Sequence, residues 1–254
     1  MNLDELNPKI RFSNRVDNYI KFRPNYPTQI LDFLNKAIGF TSASIVADVG
    51  SGTGISSKLF LENGNIVFGI EPNTEMRQAA EEVLDKYSNF RSINASSEDT
   101  KLQSQSIDII VAAQAFHWFD PKPTKEEFLR ILKPGGTVVL LANRRRRSED
   151  KFMNRYMGII EKYGQNLNLK TDTEVIPNFF YPNIVQKEVL YNPHLVDFDR
   201  LKGDLTSYSY MPDEQDPRYK SMVEELEVLF QNYNNDGKIN FEYKTVVYYS
   251  RLTD

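Results

Sequence analysis

The stretch Asp48-Val49-Gly50-Ser51-Gly52-Thr53-Gly54 sets a carboxylate directly ahead of three glycines at alternate positions. Glycine lets the backbone turn sharply and approach a ligand where a Cβ would clash, and the helix start that follows offers unpaired N–H groups. The dinucleotide fingerprint Gly-x-Gly-x-x-Gly fails in both frames: from Gly50 it ends on Ile55, and from Gly52 on Ser57. No Lys-Ser/Thr pair follows, so the turn is not a P-loop. A carboxylate at Asp48 would repel a pyrophosphate and suits an ammonium group. Glu71, 23 residues further on at the end of the next apolar run, is placed to accept both hydroxyls of a ribose. Loop and acid together predict an adenosine-type ligand; the glycines alone would fit a plain tight turn.

Gln114, His117 and Trp118 follow a later apolar run, Ile107–Ala112. In a parallel sheet, ligands bind at the carboxyl ends of the strands. One reading makes Trp118 core, Gln114 a turn cap and His117 a satisfied polar residue. The other places the sole tryptophan and one of two histidines at the ligand edge, where an imidazole can take a proton near neutral pH.

Those residues need strands to carry them. Apolar, β-branched runs recur in the first 145 residues at Ile45–Val49, Ile66–Ile70, Ile107–Ala112 and Val138–Leu141, with a weaker third one around Phe90–Asn94. Helical patterns separate them at Ile55–Asn63, Thr74–Tyr87 and Thr124–Leu132. Continuous rather than alternating apolar runs mark strands buried on both faces. Alternation with helices implies right-handed crossovers. The expected fold is α/β, a doubly wound, mostly parallel seven-stranded sheet with a helical cap. Lys133-Pro134-Gly135-Gly136 reads as a turn between the last helix and the fifth strand. Beyond Arg147 come helical stretches at Asp150–Tyr163 and Asp213–Tyr233 and alternating segments at Ile184–Leu190 and Phe241–Tyr249. The organisation expected is a cofactor-binding core with an N-terminal lid segment over 1–147, then cap helices and the last two strands over 148–254, forming one compact unit.

The chain has 254 residues, no cysteine and two histidines, which excludes disulfide scaffolds, iron–sulfur clusters, thiolate zinc sites and cysteine nucleophiles. A net charge of −4 argues against a protein that neutralises phosphates. No apolar run approaches the roughly 20 residues that span a bilayer, and the charged N-terminus carries no secretory h-region. These features predict a cytoplasmic protein that binds neither nucleic acid nor membrane; a monomer or weak homodimer is the accompanying expectation.

The stretch Ile45–Leu141 resembles a class I S-adenosylmethionine-dependent methyltransferase, a Rossmann-like fold. The resemblance lies in Val46–Gly54, Gly69-Ile70-Glu71-Pro72-Asn73, Asn94-Ala95-Ser96-Ser97-Glu98 and Leu132-Lys133-Pro134-Gly135-Gly136. Tyr19–Pro27, Ala112–Phe119 and Leu205–Tyr210 are similar to the small-molecule branch that includes trans-aconitate and cantharidin methyltransferase-like proteins. No Asn/Asp-Pro-Pro-Tyr motif follows the fourth strand, where base-amino methyltransferases resemble one another.

The resemblance implies S-adenosyl-L-methionine as cofactor. Asp48, Gly50, Gly52 and Gly54 would wrap its methionine part, Glu71 its ribose, and Met76, Ser97 and Glu98 its adenine, with Gln114 beside them. Ser97-Glu98-Asp99-Thr100-Lys101 lacks the leucine and proline usual at that position. Tyr19, Arg23 and Tyr26 lie before the first strand, where Pro24 and Pro27 fix an extended turn; they form either a surface lead-in or a lid in which Arg23 or Tyr19 meets a carboxylate. Trp118 and Tyr208 are expected at the substrate. His117 would bind the acceptor or act as its base; a carboxylate acceptor, already ionised near pH 7, needs none. Arg144–Arg147 reads as a solvated charge run, or as a run with one member turned into the acceptor cavity. The expected activity is methyl transfer to a small organic acceptor at oxygen. The rivals are a non-catalytic cofactor-binding protein and an NAD-dependent dehydrogenase.

Overall fold

The computed structural model describes residues 22–145, 150–165, 172–208 and 210–253. Seven strands form one sheet: β1 Val46–Val49, β2 Val67–Ile70, β3 Phe90–Ile93, β4 Ile107–Ala113, β5 Leu132–Arg145, β6 Gln186–Val196 and β7 Ile239–Arg251. Their order is β3-β2-β1-β4-β5-β7-β6. The four neighbouring pairs from β3 to β5 are parallel, whereas β7 runs antiparallel to both β5 and β6. The sheet is therefore mixed, with its antiparallel part confined to one side. The chain winds outward from β1 to β3 and then crosses back to β4, so the sheet opens a crevice beyond the carboxyl ends of β1 and β4.

Eight helices surround it among the described residues: α1 Gln29–Ile38, α2 Ile55–Glu62, α3 Thr74–Leu84, α4 Pro121–Ile131, α5 Lys151–Tyr163, α6 Asp172–Phe180, α7 Phe198–Thr206 and α8 Tyr219–Tyr233. Side-chain alternation splits the buried sheet residues between two cores. Val46, Ile109, Val111, Val139 and Leu141 pack with Ile30, Leu34 and Phe60. Ala47, Ile110, Ala112, Val138 and Leu140 pack with Phe128, Phe179 and Phe180. A third cluster joins α5, α7 and α8 to Val196, Ile239, Phe241 and Tyr243 of the long β6–β7 pair. These helices are the cap.

Several boundaries differ from the sequence expectation for local reasons. Leu132 already pairs with Ile107, and the ladder resumes only with Thr137 opposite Ile109, so Lys133–Gly136 is an irregularity inside β5 rather than a turn before it. Helix α4 starts earlier because Asp120 caps it from Lys122 N and Pro121 opens it. Helix α8 starts at Tyr219 because Asp213 and Asp216 bond the backbone of Gln215 and Arg218 in turns. Helices α1, α6 and α7 lie in stretches where no helix was expected.

Candidate functional site

The turn after β1 is closed by bonds from Gly50 N and Ser51 N to the carbonyl of Ile70, 2.8 and 3.1 Å long, which seat it against β2. Gly50 and Gly52 have φ of 71° and 55°, a region that costs other residues about 1–2 kcal/mol. Their surroundings differ. A Cβ on Gly50 would lie 2.5 Å from Ala115 Cβ, whereas on Gly52 it would meet nothing within 4 Å. Gly50 is therefore glycine for packing, and Gly52 leaves its backbone open to a ligand. Gly54 forms the N-cap of α2.

Glu71, at the tip of β2, bonds the loop directly. Its Oε2 accepts from Gly52 N at 2.9 Å and its Oε1 from Asn73 N at 2.8 Å. Burial pushes its carboxyl pKa up, against the two backbone bonds. A carboxylate has about four acceptor positions, so these bonds leave room for further donors.

Asp48 lies fully buried behind the loop. Its Oδ2 accepts from Ser56 Oγ at 2.7 Å and Ser57 Oγ at 2.6 Å. Burial raises its carboxyl to about 6, opposed by those hydroxyls. Its Oδ1, and Thr53 Oγ1 within the loop, are buried without a hydrogen-bond partner. Ser56 and Ser57 were not singled out in the sequence; a hydroxyl in the first helical turn after a glycine loop carries no distinctive local signal.

A cleft of about 450 Å³, open mouth included, runs past the loop; Arg23, Tyr26, Gly50, Gly52, Thr53, Gln114, Asn143 and Tyr208 are among its walls. Gln114 has φ of 56° and donates from Nε2 to the Asn143 carbonyl at 2.9 Å. The guanidinium carbons of Arg23 and Arg145 lie 3.7 and 3.9 Å from the Tyr208 ring centroid. Arg145, only 9% exposed at its side chain, reaches Asp204 Oδ2 at 3.4 Å. It also donates to Tyr210 OH at 2.7 Å and Tyr156 OH at 3.3 Å. So one arginine of the run at 144–147 turns inward onto a tyrosine of the cleft wall, and for it the solvated reading does not hold. Arg146 and Arg147 lie outside the described residues.

The cleft thus gathers Arg23, Gly50, Gly52, Gln114 and Tyr208, with Glu71 joined to it through Gly52. Met76 is buried in the first turn of α3, its N–H bonded to Asn73 Oδ1 at 2.9 Å. Ser97 donates to Glu98 Oε1 at 2.8 Å and accepts from Thr124 at 3.1 Å. Burial of Glu98 works against those bonds, and its carboxyl is nonetheless held below the usual range. His117 and Trp118 sit on a short 3-10 turn, Phe116–Trp118, their rings 4.9 Å apart. His117 is exposed. Neither ring joins the walls of the cleft. Tyr19 lies outside the described residues. Sequence reasoning missed Asn143 in the wall, although its place near the carboxyl end of β5 is where the strand-end rule points.

Residues 47–140 match the methyltransferase domain family. Over 246 residues, 94% of this chain and 96% of the other, the chain is 24% identical to an uncharacterized methyltransferase of Schizosaccharomyces pombe. Over 139 residues it is 31% identical to a Saccharomyces cerevisiae protein named for S-adenosylmethionine-dependent methyl transfer; that match covers 51% of this chain and 47% of the yeast protein. The chain thus aligns with about half the length of that relative. Among solved structures, a protein of Anaeromyxobacter dehalogenans assigned to the type II methyltransferases superposes with a TM-score of 0.71 at 20% identity, covering 92% of this chain and all of that one.

Proposed function

We propose that this chain, an S-adenosylmethionine-dependent methyltransferase of the class I architecture, methylates a small organic acceptor at oxygen, with a carboxylate as the preferred acceptor. Its residues fit the donor on two counts. The loop holds buried polar atoms without partners at Asp48 Oδ1 and Thr53 Oγ1, and Gly52 leaves its backbone open beside the Glu71 carboxylate.

Bound there, S-adenosylmethionine supplies a methyl group already activated on a sulfonium. In this reading the backbone of Gly50–Gly54 surrounds the methionine part, Asp48 supports that loop from behind through Ser56 and Ser57 rather than touching the ligand, and Glu71 accepts from the ribose. Met76, Ser97 and Glu98 line the adenine side, and Gln114 borders the donor. Arg23 and Tyr26 border the donor from the cleft wall. The chain's contribution to rate is alignment and exclusion of water, which oriented reactants convert into large effective concentration.

The observation that carries the acceptor class is the Arg23 guanidinium in the cleft wall, 3.7 Å from the Tyr208 ring centroid. It gives this part of the cleft a cationic end suited to an anionic acceptor, while Arg145, ion-paired to Asp204, touches the same ring. Planar guanidinium forks match carboxylate geometry. A carboxylate oxygen has no proton to lose, so no base is needed. A hydroxyl acceptor does lose one, and His117, exposed on the turn after β4 and outside the cleft walls, is then the imidazole offered to take it. Trp118, its ring 4.9 Å from that of His117, is the apolar neighbour assigned to such an acceptor.

The test is titration of a small dicarboxylate, and of its neutral diamide, into the protein saturated with S-adenosylhomocysteine. Binding of the acid alone is the expected result. Equal binding of both, or binding of the diamide alone, rejects the carboxylate reading.

A further inference from the structure

We propose that Asn143 and Asn192 are positioning residues of the donor cleft. They fasten residues 23–26 across β5 and β6, so that Arg23 and Tyr26 wall the same cleft as the glycine loop. The inference rests on reading that cleft as the donor site.

The sequence pattern changes where the segment crosses the sheet. Val139, Leu141 and Val247 present an apolar face. Two residues further along each strand that face carries Asn143 and Thr245, and β6 adds Asn192; all three are buried. Buried amides are costly unless their donors and acceptors are paired.

Here they are paired largely with the crossing segment. Asn143 Nδ2 donates to the carbonyls of Pro24 and Asn25 at 3.3 and 3.4 Å. Its Oδ1 accepts from Thr245 Oγ1 at 2.5 Å and Asn192 Nδ2 at 3.3 Å. Asn192 Nδ2 donates to the Asn25 carbonyl at 2.9 Å. The Asn143 backbone carbonyl takes the Gln114 amide, so this one residue links the crossing segment, the edge strands and the tip of β4.

A second contact agrees with this anchorage. Gly203 lies inside α7, where glycine is unfavourable. A Cβ there would lie 2.2 Å from the Phe22 ring. The glycine therefore makes room for the residue immediately before Arg23. Pro24 and Pro27 have fixed φ and no N–H to offer, so carbonyls are what this stretch presents to the two asparagines. Arg23 and Tyr26, flanking the bonded carbonyls, line the cleft together with Pro24.

The experiment measures S-adenosylhomocysteine affinity by titration calorimetry and hydrogen exchange over residues 22–33, in the full chain. Asn192→Leu is expected to weaken affinity at least fivefold and to speed exchange in that segment. In an Arg23→Gln background the same change should add less than a twofold loss, because both act through one segment. Asn192→Ala serves on the same scale if the leucine variant does not fold.

Affinity within twofold of wild type, unchanged exchange, or losses that multiply in the double variant would overturn the inference. Glu71→Gln separates the two readings. If it weakens binding and Asn192→Leu does not, only the anchoring role fails; if neither matters, the donor-site reading has failed.

Discussion

Glu71 Oε2 accepts a hydrogen bond from Gly52 N at 2.9 Å, tying the tip of β2 to the glycine loop that follows β1. Two neighbouring parallel strands thereby share one ligand edge, and the only acid at the β2 tip is already held beside the most open glycine of the loop. Replacing it with the neutral amide, Glu71→Gln, should weaken S-adenosylhomocysteine binding ten- to a hundredfold, about 1.4–2.8 kcal/mol. Calorimetry reads the change directly; a loss below threefold contradicts the ribose role.

Asp48 predicts a pH dependence of stability. Burial raises its carboxyl from 3.8 to about 6. The folded protein therefore holds that proton more tightly than the unfolded chain. The stability it contributes is complete below about pH 4 and is lost as pH rises through about 6, a swing on the order of 3 kcal/mol. Asp48→Asn should melt higher than wild type at pH 7.5, with the gap closing towards pH 4. A gap that widens on acidification contradicts the assignment.

Gly50 and Gly52 should fail differently. Gly50→Ala combines a left-handed φ with a 2.5 Å overlap on Ala115, costing at least about 2 kcal/mol. Gly52→Ala has open space around it and should cost only about 1 kcal/mol, yet it fills room that a ligand would use. Melting should single out the first variant, and titration with S-adenosylhomocysteine the second. The reverse pattern would move the ligand edge away from Gly52.

His117 tests the acceptor. With a carboxylate, His117→Ala should change kcat less than about threefold and leave the rate flat from pH 6 to 8, since no proton is removed. With a hydroxyl acceptor, loss of a general base should cost about a hundredfold or more. A steady-state pH profile of both proteins distinguishes the two, and the second outcome rejects the carboxylate as physiological acceptor.

The strands β1, β2 and β4 were legible because they are largely buried on both faces and read as apolar runs interrupted only by Asp48 and Asp108. The helices α6 and α7 were not, since Pro177 and Gly203 look like breakers within a short window. Gly203 is explained only by Phe22, far away in sequence. The loop and Glu71 were legible through local spacing alone. Arg145 was hidden in a charge run, because which arginine turns inward depends on Tyr208 and Asp204 arriving from the cap. Asn143 and Asn192 are ordinary polar residues until the register of β5, β7 and β6 brings them onto the same carbonyl of Asn25.

The most direct measurement supplies methyl-labelled S-adenosylmethionine with matched panels of small carboxylic acids, alcohols and amines, and follows the label into product. The account predicts label in a carboxyl methyl ester, released as methanol by mild base. Label appearing in amine products while every acid stays unmethylated would contradict it.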